Sequence, residues 1–232
     1  FSIPYDENTF QGFRLHMRTL HYQHNLRFDM PVGPWNGFCC TPPFFESLEE
    51  GDKRKEGYLI FGQQYDVSGN EILDGETKLP LNIEYKIPAL KMDAANYTPT
   101  QIRTTGARVG KYEIKIGAKE NLSNDFPLVR LTDFYLIKAE LEIRLGRSGD
   151  EWIAPIRNRA GVDPKGGWTL EQLLAERGKE LFCEGHRRQD LIRFGKFGEK
   201  KWEKPTPDAA GKTTFPIPKW ATDANPNLLI NP

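Results

Sequence analysis

From Thr132 onward the apolar residues fall at helical steps: Phe134, Ile137, Leu141 and Leu145 recur three or four residues apart, and Tyr135, Leu136 and Ala139 widen the face. The pattern predicts an amphipathic helix that Gly146 ends. A second helix is expected from about Asp150 to Ala160, interrupted by Pro155. A third should open at Thr169, where Thr-x-x-Gln to Gln172 forms a capping box, with Leu170, Leu173, Leu174, Leu181 and Phe182 as its buried stripe. Carried through to Glu184 it would span roughly 22 Å. After a break at Gly185 comes a shorter amphipathic segment with Leu191, Ile192 and Phe194.

Upstream the period changes. Thr41-Pro42-Pro43 ahead of Phe44, Phe45 and Leu48 reads as a helix start that should stop near Gly51. Gly57 to Tyr65 is rich in β-formers, Asp66 to Asn70 carries turn chemistry, and Leu81 to Ile87 and Val109 to Ile116 alternate as strands do. The expected class is mainly α, with helices paired antiparallel toward the C-terminal end and irregular loops, short strands and hairpins before them.

Composition narrows the function. A hydrophobic content of 38% suits a globular chain, while 17 prolines and a mean hydropathy of -0.61 point to many loops. No apolar run approaches the roughly 18 to 20 residues needed to cross a bilayer. Lys+Arg and Asp+Glu balance at 32 each, which gives no electrostatic reason to expect nucleic acid as a partner. Cys39, Cys40 and Cys183 fit no zinc spacing and cannot all pair with one another, so buried free thiols are expected.

Glu176, Glu180 and Glu184 stand at i, i+4 on one helix face, and paired carboxylates about 5 to 9 Å apart are what glycoside hydrolysis requires. Arg177, Lys179, Arg187, Arg188 and Arg193 lie close along the chain and would keep them ionised, whereas a general acid needs a raised pKa. A structural ion-pair network is therefore expected, with no catalytic residue. His21 and His24 could share a face, but no third metal ligand accompanies them, and no metal or cofactor is expected. No P-loop, nucleophile elbow or dinucleotide fingerprint occurs. Asn96-Tyr97-Thr98 and Asn121-Leu122-Ser123 match the N-glycosylation pattern, as chance allows.

Between His16 and Phe38 aromatic rings alternate with amides and cations: His21, Tyr22, His24, Asn25, Arg27, Phe28, Trp35, Asn36 and Phe38. A sugar offers C–H faces to rings and hydroxyls to amides and guanidinium groups. Each ring contact is worth about 0.5–1.5 kcal/mol by analogy with aromatic pairs. Tyr22, Asn25, Trp35 and Asn36 are the candidate ligand platform. Arg27, Phe28 and Asp29 join them from Leu26 to Pro34, which reads as an insertion. Packing of Trp35 and Tyr22 in a core or loop is the competing assignment.

Glu176 to Phe197, with its Glu184-Gly185-His186-Arg187-Arg188-Gln189-Asp190 centre, resembles the C-terminal signature of the SusD/RagB family. Phe126 to Glu140 resembles the family's penultimate helix and its lead-in, and Ile156-Arg157-Asn158-Arg159-Ala160-Gly161-Val162 its Arg-x-Arg-Ala-Gly turn. Trp35-Asn36-Gly37-Phe38, Asp52-Lys53-Arg54, Gly106 to Tyr112 and Phe215-Pro216-Ile217-Pro218 are familial as well. The resemblance implies a tetratricopeptide-like α-α superhelix and a surface-exposed lipoprotein of Bacteroidetes. Such a protein captures oligosaccharide for a SusC-like TonB-dependent outer-membrane transporter.

It further implies that residues 1–232 are the C-terminal part of a single domain, with 1–125 on the ligand side and 126–232 carrying the signature. The N-terminal half and the lipid-bearing N-terminal Cys would lie upstream. Arg177, Glu180, Glu184, Arg187, Arg188 and Asp190 become its structural ion-pair network. Three alternatives stay open: peptide cargo, as in RagB-type members; a surface glycosidase; and a helical-repeat adaptor without small ligand.

Overall fold

A computed structural model describes residues 1–89, 92, 95–207, 212–225 and 227–228. The chain forms two compact units, Phe1–Gly185 and His186–Pro232. The first runs through β1 (Ser2–Ile3), α1 (Leu15–Thr19), α2 (His24–Arg27), α3 (Pro42–Ser47), α4 (Lys53–Tyr58), β2 (Leu59–Ile60), β3 (Gly62–Gln63), β4 (Asn82–Ile83), α5 (Pro99–Thr104), β5 (Arg108–Val109) and β6 (Phe126–Pro127), and then the longer α6 (Leu131–Arg144), α7 (Asp150–Ala160) and α8 (Leu170–Glu180). The second unit holds α9 (Arg187–Arg193) and α10 (Lys219–Ala224). No helix of the described residues is long and apolar enough to cross a membrane.

The strands form antiparallel pairs, β1 with β6, β2 with β5 and β3 with β4. They are shorter than the alternation predicts. Pairing of Leu59 with Val109 ends the β2–β5 ladder, and the next backbone bond, Gly110 N–H to the Tyr58 carbonyl, already belongs to α4. Tyr112 and Ile114 then pack half-buried against the core around Phe13, Met17 and Leu20, and Ile116 is exposed. The expected strand from Gly57 is also corrected at its start. The Asp52 side chain accepts the Arg54 N–H and caps α4, so Gly57 and Tyr58 are helical.

The capping box at Thr169 is present: the Thr169 hydroxyl accepts the Gln172 N–H and the Gln172 side chain takes the Thr169 N–H. α8 nonetheless stops at Glu180, four residues short of Glu184, because Cys183 (φ 59°) and Gly185 (φ 83°) are left-handed. α7 passes through Pro155 without a break. The carbonyl that loses its partner there belongs to the exposed Glu151, on the solvent side of the helix, while Ile153, Ile156 and Ala160 are buried.

α6 packs against α7 and α8 by only part of the expected face, through Leu136 and Ala139. Its buried residues are Asp133, Leu136, Ala139 and Glu140, whereas Phe134 is 56%, Leu141 51% and Leu145 62% exposed. Two buried carboxylates with cationic partners, Arg177 on Asp133 and Arg144 on Glu140, let a partly charged face turn inward.

Candidate functional site

The candidate platform is built on the end of α1. Met17 and Leu20 are buried in the core, and the chain from 35 to 38 returns alongside them. The Trp35 N–H donates to the Met17 carbonyl at 2.7 Å, Asn36 to Leu20 at 3.0 Å, and Gly37 and Phe38 both to Arg18. Asn36 takes a left-handed conformation (φ 52°) that Asn tolerates better than most residues. A Cβ on Gly37 would meet the Arg18 carbonyl oxygen at 2.7 Å, so only glycine permits this approach. The backbone contacts leave Trp35 and Phe38 outward, 43% and 45% exposed, and Tyr22, just past the end of α1, is 46% exposed. The Arg18 guanidinium carbon lies 6.0 Å from the Trp35 ring centre.

Phe28, Arg27 and Asn36 make contacts within the fold. Phe28 packs half-buried against the Phe13–Met17–Leu20 core. Arg27 donates to Gln64 Oε1 at 2.7 Å and stands 5.5 Å from the Phe28 ring. The Asn36 amide donates to the Arg103 carbonyl at 3.2 Å, and the Asn25 carbonyl accepts the Met30 N–H at 2.8 Å. Asn25 is half-buried and Asp29 exposed. Phe38, noted in the sequence but left out of the candidates, is as exposed as Trp35.

His21 and His24 lie beneath the platform, both fully buried. The His21 N–H donates to His24 Nδ1 at 3.1 Å and the Gln23 N–H to His21 Nδ1 at 3.2 Å, so each ring closes a turn. Burial, with the charges of Arg108 and Arg103 and against that of Asp74, lowers His21 to about 4. Burial, then His21, Arg108 and Arg27, pushes His24 well below its usual value. Among the described residues no three His, Cys, Asp or Glu side chains cluster as metal ligands.

Behind α8 the three glutamates enter a buried charged network. Glu176 binds Arg54 at 2.7 Å and Arg157 at 2.9 Å. Glu180 binds Arg54 at 3.3 Å, Arg130 at 2.8 Å, and Arg159. Glu184 binds Arg130 at 2.7 Å and Lys111. Lys111 and Arg130 also donate to the Glu180 carbonyl, satisfying the end of α8, where cations oppose the helix dipole. These counter-charges come from distant segments rather than from the neighbours along α8, and Arg177 turns to Asp133 at 2.9 Å.

Although burial alone would raise it, Glu180 is held below the usual carboxylate range by Arg159 and Arg130. That is the reverse of what a general acid needs. In the second unit Arg193 donates to Asp190 at 2.7 Å, and Arg188 donates to the Lys212 carbonyl with its guanidinium 4.5 Å from both the Phe197 and Phe215 rings. Arg187 is exposed on α9.

The three cysteines are free thiols. Burial pushes Cys40 up to about 12 and Cys183 up to about 11. Asn121, one of the two glycosylation-type asparagines, is buried and accepts from Gly12 and Arg14 through Oδ1.

With this geometry established, similarity to known proteins places the chain. Residues 33–212 match the SusD family, and the chain belongs to it. It is 35% identical over 116 residues, 46% of this chain and 21% of that protein, to the starch-binding protein SusD of Bacteroides thetaiotaomicron. Its fold is that of solved SusD-superfamily proteins, which have a tetratricopeptide-like helical architecture. It is similar to surface glycan-binding protein A from Bacteroides thetaiotaomicron (TM-score 0.68, 20% identity, 100% of this chain and 51% of that one). It is equally similar to a SusD-superfamily protein from Parabacteroides distasonis (TM-score 0.68, 20% identity, 100% and 49%). The glycan-binding protein in complex with laminarihexaose aligns at TM-score 0.66, with 20% identity and 100% and 51% coverage. The chain spans about a fifth of the curated relative and about half of these structures.

Proposed function

We propose that this chain is the C-terminal part of a SusD-like glycan-capturing protein of the cell surface, and that it binds oligosaccharide without cleaving it. The observation that carries the proposal is the outward presentation of Trp35 and Phe38 on backbone anchored to the buried end of α1, with Tyr22 exposed just past that end. Rings held by backbone bonds lose little freedom when a sugar face stacks on them, so contacts of about 0.5–1.5 kcal/mol each are retained in binding. Ligand-named relatives point the same way: a starch-binding protein in sequence, and a glycan-binding protein solved with laminarihexaose in fold.

Non-catalytic action is supported by Glu176, Glu180 and Glu184, which are tied up as ion pairs rather than arranged as an acid and a nucleophile. A longer parent domain is supported by the exposed apolar face of α6, since a helical hairpin at the end of a stack needs a polar outer face to stay soluble. In the same proposal the parent is lipid-anchored at the outer membrane beside a SusC-like transporter. A glycan array run beside a pool of random peptides tests the cargo class. Retention of oligosaccharides supports the proposal, and retention of peptides alone replaces it with the RagB-type alternative.

A further inference from the structure

The turn between α7 and α8 forms a second recess, distinct from the Trp35 platform, with a volume of about 120 Å³. Its floor is the outer face of α8, where Gln172, Ala175 and Lys179 stand at helical spacing and the small Ala175 leaves a notch. Lys165 and Trp168 come from the turn, and Glu49 from the loop after α3. The volume is of the size that accepts one small ring.

The charges in it are unequal. Arg157, buried at its back, donates to both oxygens of Glu49 at 3.0 Å and lies 5.3 Å from the Trp168 ring. Lys165 and Lys179 reach Glu49 at 3.2 and 3.3 Å. One carboxylate thus serves three cations. The other glutamate of the recess, Glu176, shares its charge with Arg54. Against burial, which by itself raises it, the hydrogen bonds of Arg157 and Lys165 hold the Glu49 carboxyl down at about 2. Lys165 is half exposed and free to turn its ammonium to a second anion.

We infer that this recess is a subsite for an acidic sugar residue of the uronate class, its carboxylate on Lys165 and Lys179, its ring in the Ala175 notch beside Trp168, and its hydroxyls on Gln172 and Glu49. Excess cationic charge selects the carboxylate, and the indole and amide select a sugar over a bare anion. The inference rests on the glycan-binding proposal and extends its cargo from neutral glycans to those that also carry acidic units.

The test is calorimetric titration of the full chain with a tetrameric oligoglucuronide, a neutral glucan tetramer and sodium sulfate. Binding of the oligoglucuronide should weaken with added salt. It should fall about tenfold in Lys165→Glu, whose side chain is on the surface, and in Ala175→Phe, which fills the notch without changing charge. Neutral-glucan binding should be unchanged in both variants. If the neutral glucan binds and the oligoglucuronide binds no better, the acidic subsite is overturned while the platform stands. Loss of binding in Trp35→Ala alone, with both recess variants at wild-type affinity, overturns it as well. Competition by sulfate at the same concentration as the oligoglucuronide reduces the recess to a simple anion trap and also contradicts the inference.

Discussion

Glu176 divides its two carboxylate oxygens between Arg54 at 2.7 Å and Arg157 at 2.9 Å, and all three side chains are no more than 4% exposed. α8 is thereby joined to α4 on one side and to α7 on the other through a single ionised group. The family signature in this chain is the wiring of a scaffold. It holds the helices in register on one side of the fold while the rings stand on another element.

Breaking that joint leaves a buried charge without its partner. Glu176→Gln or Arg54→Ala should destabilise the chain by about 3–5 kcal/mol, whereas removal of the surface partner Asp223 from Lys219 should leave stability unchanged. Urea unfolding followed by circular dichroism measures both. A small effect of Glu176→Gln would mean that the network is solvated in solution.

The buried histidines set an acid limit. His21 is lowered to about 4 and His24 well below its ordinary value, so the folded state holds them neutral while the unfolded chain takes up protons near pH 6.5. Their contribution is complete above pH 6.5 and is lost as pH falls toward 4, at up to about 1.4 kcal/mol per pH unit for each ring. Glu49, lowered to about 2, adds its own loss only below about pH 4.5. Thermal melts between pH 7.5 and 4.5 should show the decline, and His21→Gln should flatten it.

The thiols should be unreactive while the chain is folded. With Cys40 near 12 and Cys183 near 11, the thiolate fraction of Cys40 at pH 8 lies about three orders of magnitude below that of an ordinary cysteine. Iodoacetamide labelling read by mass should therefore be slow in buffer and fast in urea. Rapid native labelling at Cys40 would contradict its burial.

Leu131, Phe134, Leu141 and Leu145 form an exposed apolar row on α6. Such a patch limits solubility. Replacing Phe134 and Leu141 by Gln should raise the concentration at which the chain stays monomeric in sedimentation velocity, while the unfolding midpoint moves little because neither side chain is in the core.

These elements were not equally legible in the sequence. The Thr169–Gln172 capping box, α8 and the short α9 are local, so spacing reveals them, whereas α10 carries no such signal. Periodicity places only part of the inward face of α6, because Phe134, Leu141 and Leu145 point outward while Asp133 and Glu140 turn inward beside Leu136 and Ala139. Alternation overestimates strand length because each ladder depends on a partner strand elsewhere in the chain. Spacing marks Glu176, Glu180 and Glu184 as ion-paired, yet only the fold brings Arg54, 122 residues away from Glu176, and Arg130, 50 from Glu180, to them. The Glu49–Trp168 recess had no sequence signal beyond a tryptophan after two glycines.

The central claim is that the exposed rings bind a glycan and release it unchanged. Calorimetric titration of wild type and Trp35→Ala with laminarihexaose and maltohexaose, followed by mass analysis of the recovered sugar, tests it directly. Intact hexasaccharide and an affinity about three- to tenfold weaker in the variant are expected, from the loss of one ring contact. Shortened sugar in the wild-type mixture, unaltered affinity in Trp35→Ala, or no binding of either sugar by wild type would contradict the account.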